Sequence, residues 1–243
     1  MELLSDGSFS LHDTITVNGK GVSPFVIGAG WLLEIIELRS GDLYFISDDV
    51  EVRSRFPRFG IFYPPFTIIR MCVNNLKATM VGIGAIEPIK ELPDLPVIFE
   101  TDFDAPFNTA TQAAEILTSS RNFQSIEMNS KASLLSIKAK RVIDENYHVY
   151  PSIARIALRL NVAHEHLSRQ FKLDYEMSPS AYLHRLRMAE ATFKLLRGDA
   201  IIDVSGEVGY NDLGRFYNQF RKQTKTSPGN CRIKSTSKNA KTL

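Results

Sequence analysis

Two stretches near the C-terminal end share one pattern, and that pattern limits what the chain can fold into. The first is Ser152–Lys172, SIARIALRLNVAHEHLSRQFK. Ile153, Ile156, Ala157 and Leu160 repeat at helical spacing, as do Leu167 and Phe171 further on. Asn161-Val162 stands between the two runs, and Asn tolerates the left-handed backbone of a tight turn better than most residues. Ala157 is small where the two helices would cross. The second stretch is Ile201–Lys222, IIDVSGEVGYNDLGRFYNQFRK. Here Ile201, Val204 and Val208 face inward, Ser205 is the small residue, and Gly209 takes the turn. Asp212 caps a following helix that buries Phe216 and Phe220. Each stretch reads as a helix-turn-helix, a motif whose second helix can enter the major groove of DNA.

Between them, Ser178-Pro179 supplies an N-cap and a first helical residue. Tyr182, Leu186, Ala189, Phe193 and Leu196 follow at spacings of 4, 3, 4 and 3, and Gly198 ends the run. A helix of about 19 residues, about 28 Å long, therefore joins the two units. Such a rigid link suits two successive major-groove segments about 34 Å apart. A further helix is expected over about Ser133–Tyr147, stopped by Pro151.

The net charge of +2 hides an asymmetry. Residues 1–130 carry 9 Lys/Arg against 17 Asp/Glu, a net of −8, and residues 131–243 carry 20 against 10, a net of +10. A basic half beside an acidic half points to a polyanion as partner of the basic half. The apolar fraction of 44% allows ordinary cores. Two distant cysteines, Cys72 and Cys231, make neither a disulfide framework nor a metal cluster and suit a reducing compartment. The N-terminus lacks a signal-peptide pattern, and no apolar run approaches the roughly 18 residues of a membrane span. A cytoplasmic location is expected.

The first hundred residues read as β-rich. Alternation around Phe9, Leu11, Ile15 and Val17 gives one strand. Trp31–Leu38 is another, with a turn at Gly41-Asp42 before Leu43–Ile46. Glu51–Phe56, a hairpin of Phe66–Val73 and Ala78–Ile86 across residues 74–77, and Val97–Phe99 follow. Closely spaced turns favour a small antiparallel barrel or sandwich. From Pro106 the period changes. Phe107, Ala110, Ala114 and Leu117 predict an amphipathic helix that either packs on the barrel or forms a dimer seam. Residues 121–130 read as a connector.

The C-terminal hundred residues resemble the DNA-binding domain of the AraC/XylS family of bacterial transcription regulators. The likeness covers about 134–232. It rests on Ser178-Pro179, Tyr182-Leu183, Arg187-Met188-Ala189 and Leu195-Leu196 in the linker helix. It rests equally on Glu207-Val208-Gly209-Tyr210, Phe216, Phe220-Arg221-Lys222, Ser227-Pro228 and Arg232. The resemblance implies an α+β chain: a β-rich cupin-like barrel, then an all-α domain of seven helices with two helix-turn-helix units on one linker helix. The expected divisions are 1–105, a helix and connector over 106–130, the DNA-binding domain over 131–232 with units at about 152–172 and 201–222, and a basic disordered tail over 233–243. In the first half, Arg39-Ser40-Gly41-Asp42-Leu43 and Pro64-Pro65 look like the effector or dimerisation barrels of such regulators, and 107–120 fits their dimerisation helix.

The family's pattern assigns base reading to outward residues of each second helix. Here these are His164, Glu165, Ser168 and Arg169 in the first unit and Leu213, Gly214, Arg215 and Asn218 in the second. Arg169 is the leading reader, since a guanidinium pairs bidentately with guanine O6 and N7. Glu165 accepts from cytosine N4 or pairs with Arg169. Other Lys and Arg contact phosphates. The chain departs from the pattern at Asn161 in the first turn, Ala163 where Ser often caps, Cys231 in place of an aromatic, Gly206 inside a helix, and Leu213-Gly214 where polar readers often sit. The implied partners are double-stranded DNA and RNA polymerase, with a small-molecule effector and a second copy of the chain as further candidates.

No catalytic residue, metal or cofactor is expected. The first half holds one histidine, His12, too few for a metal cupin. His164 and His166 lack the further ligands zinc takes. Gly28-x-Gly30 and Gly82-x-Gly84 lack the third glycine of a dinucleotide site, and neither a P-loop nor a nucleophile elbow is present. Asp102 and Asp104 precede a helix and read as capping or solvated carboxylates. Trp31, Tyr44, Phe45, Tyr63 and Phe66 line either a barrel core or a ligand pocket, the core being the commoner use. Two other readings stay open: a cupin-like ligand-binding or enzyme domain with DNA binding secondary, and an architectural DNA binder of low specificity.

Overall fold

The structure, a computed structural model, describes residues 2–48, 50–90, 92–103, 105–126, 131–149 and 152–236. It divides into two units, Met1–Met128 and Asn129–Leu243. The first is β-rich with one helix and the second is helical, so the fold class is α+β.

The first unit is a single antiparallel sheet of β1 (Glu2–Leu3), β2 (Phe9–Thr16), β3 (Lys20–Val26), β4 (Trp31–Ser47), β5 (Val50–Val52), β6 (Arg58–Tyr63), β7 (Ile68–Ala85), β8 (Val97–Glu100) and β9 (Arg121–Ser125). β4 and β7, the two long strands, pair along most of their length and organise it. β2 and β6 flank the half of this pair made by Trp31–Leu38 and Ala78–Ala85, and β3 and β5 flank the other half. The two portions touch where the Phe25 ring meets the Tyr63 ring edge-on at 5.9 Å.

The two turns expected inside these strands are bends instead. Trp31–Leu38 and Leu43–Ile46 are one strand, as are the two arms of the expected hairpin. Register shifts between Leu38 and Ser40 and between Ser40 and Asp42 absorb the turn residues as bulges. Gly41, at φ +78°, lies so close to β7 that a Cβ there would come within 2.3 Å of the Asn75 carbonyl oxygen. Turn-forming residues in both strands thus meet at one corner, where they curve the sheet without reversing the chain.

Helix α1 (Thr111–Ser119) starts later than Pro106 suggests. Gln112 Oε1 accepts the backbone N–H groups of Asn108 and Thr109 at 2.7 and 3.2 Å, and Asp6 Oδ2 accepts that of Ala110 at 2.7 Å. Ala113, Ile116 and Leu117 join Trp31, Leu33, Ile35, Ile83 and Phe99 in one buried cluster. The apolar face of α1 is therefore spent on the sheet, while Thr111, Glu115 and Thr118 point outward. The connector contains β9, which pairs with β8. Of the aromatic set, Trp31, Phe45 and Tyr63 are core, and Trp31 Nε1 donates to the Glu87 carbonyl at 2.9 Å.

The second unit holds seven α-helices among its described residues: α2 (Leu134–Asn146), α3 (Ile153–Arg159), α4 (His164–Tyr175), α5 (Pro179–Leu196), α6 (Ile201–Glu207), α7 (Leu213–Thr224) and α8 (Pro228–Thr236). A 3-10 turn, Tyr147–Val149, follows α2. Ser133 caps α2, and Ser178 caps α5 by accepting the Ala181 N–H at 3.1 Å. α8 carries regular structure to Thr236, four positions into the stretch expected as tail. Asp104, Pro151, residues 127–130 of the connector and residues 237–243 lie outside the described residues.

Candidate nucleic-acid interface

α5 is the frame of the second unit. It packs against α2 and α4 on one side of the chain order and against α6, α7 and α8 on the other. Tyr182 Oη donates to Asp144 Oδ1 at 2.5 Å, and Lys140 Nζ holds Asp144 Oδ2 at 2.7 Å. Burial pushes the Asp144 carboxyl up despite Lys140 beside it. Phe171 and Tyr182 stack at 5.9 Å, joining α4 to α5. Asp174, near the end of α4, accepts from Ser133 N and Oγ at 3.1 and 2.6 Å and so ties α4 to the start of α2.

The two turns are built as their residues require. Asn161 takes φ +54° and Gly209 φ +83°. Val162 N–H bonds the Ala157 carbonyl at 3.0 Å, and Tyr210 N–H bonds the Ser205 carbonyl at 2.9 Å. Ala157 and Ser205 are both buried, the small residues at equivalent places in the two units. Arg187 of α5, wholly buried, donates from Nε to the Tyr147 carbonyl at 2.8 Å and from Nη1 to the Gly209 carbonyl at 3.1 Å. One guanidinium thus anchors the second turn to the segment after α2. Nothing in the sequence pattern singled out Arg187 as buried; its place three residues before Glu190 on the inner side of a long amphipathic helix was the available signal.

Each second helix buries its apolar stripe and exposes the rest. In α4, Leu167 and Phe171 are inside; His164, Glu165 and Arg169 are exposed and Ser168 is half-buried. In α7, Phe216 and Phe220 are inside; Leu213, Gly214, Arg215 and Asn218 are exposed. The eight expected residues therefore fall into two groups of four on the second helices, with His164, Glu165 and Arg169 at the same helix positions as Leu213, Gly214 and Asn218. Glu165 Oε1 lies 3.8 Å from His164 Nδ1, and Arg169 Nη2 lies 3.5 Å from His166 Nδ1. Of the two alternatives for Glu165, the pairing with Arg169 is not made, and each side chain lies instead beside a histidine. α7 is capped by Asp212, whose Oδ1 accepts the Arg215 N–H, whereas Ala163 gives α4 no side-chain cap. Arg155, Arg159, Lys172, Arg221 and Lys222 add exposed positive charge along α3, α4 and α7.

In the first unit, a groove of about 350 Å³ runs over the sheet face, lined by Ile35, Val81 and, from the segment before α1, Phe103 and Pro106. Glu37 at its end bridges Arg39 and Arg58, at 3.1 and 3.2 Å. Among the described residues no group of three or more His, Cys, Asp or Glu side chains is placed to hold a metal. No described helix is long and apolar enough to cross a membrane.

Residues 156–233 match the family described as "Helix-turn-helix domain". The chain is 33% identical over 86 residues to the lactose operon transcription activator of Staphylococcus xylosus, a stretch covering 35% of this chain and 31% of that protein. It is 31% identical over 97 residues to the HTH-type transcriptional activator RhaS of Pectobacterium carotovorum, covering 40% and 35%. The chain thus spans about a third of the length of each of these relatives. Among solved structures, ToxT of Vibrio cholerae aligns over 94% of this chain and 96% of its own, with 10% identity and a TM-score of 0.49. Residues 156–233, within the C-terminal unit, are thus similar to a helix-turn-helix domain.

Proposed function

We propose that the chain is a transcription regulator that binds operator DNA through both helix-turn-helix units. The observation that carries this reading is the repetition: two units in one compact domain, each with a second helix whose outer face is exposed. In this reading His164, Glu165, Ser168 and Arg169 face one major-groove segment. Leu213, Gly214, Arg215 and Asn218 face the next, and the surrounding Lys and Arg hold phosphates. Both relatives above are described as activators. Activation by contact with RNA polymerase is accordingly part of the proposal.

The acidic β-rich unit is proposed to sense a small molecule. The groove over the sheet supports this by its size, with apolar Ile35, Val81 and Phe103 facing the polar His12, Glu37 and Arg58. Self-association through α1 is the less supported role, because its apolar face is already buried and its outer face is polar.

Fluorescence anisotropy of the full chain on a 30-base-pair duplex tests the DNA-binding role. Affinity should fall steeply with salt, with a slope set by about six to ten phosphate contacts. Absence of binding at low salt would contradict the proposal.

A further inference from the structure

We infer that the second unit reads thymine through its C5-methyl group, with Leu213 as the residue that determines the preference. The inference rests on the DNA-reading role proposed above and deepens it. Leu213 is the first residue of α7 and, although apolar, keeps 38% of its surface exposed. The N-terminal residues of a recognition helix are those that reach base edges. Apart from Arg215, the first turn around Leu213 offers little else. Gly214 has no side chain, and the space a Cβ would fill there is open but for Asp212 Oδ1 at 3.4 Å. The Asp212 carboxylate is engaged in capping, since its Oδ1 accepts the Arg215 N–H.

Major-groove edges carry donors, acceptors and one apolar group, the thymine methyl. An exposed isobutyl group cannot satisfy a donor or an acceptor, so set against any other edge it would leave a base polar group without its water. Set against the methyl it buries two apolar surfaces together. Gly214 helps by removing bulk next to Leu213, so that the backbone of the first turn can come closer to the duplex. Arg215 and Asn218, both exposed on the same helix, remain for hydrogen bonds to neighbouring bases or phosphates. The first unit differs in kind: its opening residues, His164 and Glu165, are both polar and exposed.

The test uses the full chain and a duplex it has selected from a random pool. Of two enriched patches, the one whose preference survives Arg169→Ala is assigned to α7. Thymines in that patch are replaced one at a time by uracil, which removes only the methyl. One replacement should weaken binding about three- to fivefold. Leu213→Ala should bind thymine and uracil duplexes alike at that position. Leu213→Gln, which can bond adenine bidentately, should move the preference there toward adenine. The inference is overturned if the patch contains no thymine, if no uracil replacement changes affinity, or if the thymine–uracil difference persists in Leu213→Ala. Failure to select any sequence would overturn it too, but by removing the DNA-reading role on which it rests.

Discussion

Gly209 and Arg187 show how much of the second unit hangs on single atoms. Gly209 has φ +83°, and a Cβ there would lie 2.6 Å from Arg187 Nη2 and 2.7 Å from the His148 carbonyl oxygen. Gly209→Ala should therefore cost about 1–3 kcal/mol in backbone strain alone, with the displaced Arg187 adding to it. Urea unfolding followed by far-UV circular dichroism would show the loss. Outside the core, Arg169→Ala should relax preference at one operator position and cost about 1–3 kcal/mol there. An equal loss on every DNA sequence would show that Arg169 only grips phosphate. In the first unit Glu34 stands on β4 with its carboxyl hydrogen-bonded to the Tyr63 hydroxyl, and burial pushes it up to about 7. A carboxyl raised in the folded state favours folding when protonated. Its contribution is thus fully present below the unfolded value near 4.5 and is lost as pH rises toward 7. The loss is at most about 3 kcal/mol and smaller because Glu34 is only half-buried in terms of its own surface. Glu34→Gln should flatten this pH dependence. Trp31, the chain's one tryptophan, lies in the same unit and reports its unfolding by fluorescence.

At the scale of elements, the two helix-turn-helix units can be improved where they depart from good helix chemistry. Ala163 has the extended backbone of an N-cap, φ −66° and ψ 141°, but no side-chain oxygen to accept. Ala163→Ser should stabilise the domain by about 1 kcal/mol. Gly206 sits within α6 with nothing within 4 Å of a built Cβ, so Gly206→Ala should add about 0.5–1 kcal/mol. These two gains, against the loss at Gly209 three residues on from Gly206, separate propensity from geometry in one unfolding assay. α2, α5 and α7 were legible in the sequence because each carries its own period and cap: Ser133, Ser178 and Asp212 all cap as their residue types suggest. The β unit was less so. Asn74-Asn75 and Gly41-Asp42 read locally as turns, yet long-range pairing of β4 with β7 turned both into a bend. β3 and β6 have no clean alternation: Gly21 and Pro24 interrupt one, and Arg58–Tyr63 is nearly all buried. α1 starts five residues after Pro106, because the backbone N–H groups ahead of it are held by Gln112 and by the distant Asp6.

Across the whole molecule the charge division of −8 and +10 follows the unit boundary near residue 128 closely. Composition thus divides the chain where the fold does and marks the basic unit as the one suited to a polyanion. It could not locate the groove over the sheet, whose walls come from β2, β4, β6, β7 and the segment before α1, far apart in sequence. Nor could it show Arg187 buried. The central claim concerns both ends of α5: an 18-residue helix, about 27 Å long, sets two recognition helices to read two places on one duplex. The direct measurement is selection of random duplex DNA by the full chain, with enriched sequences read out. Two enriched patches about one helical turn apart, roughly 10 base pairs, are the predicted result. Binding that falls steeply with salt but enriches no sequence would contradict the claim, leaving a domain that grips phosphates without reading bases.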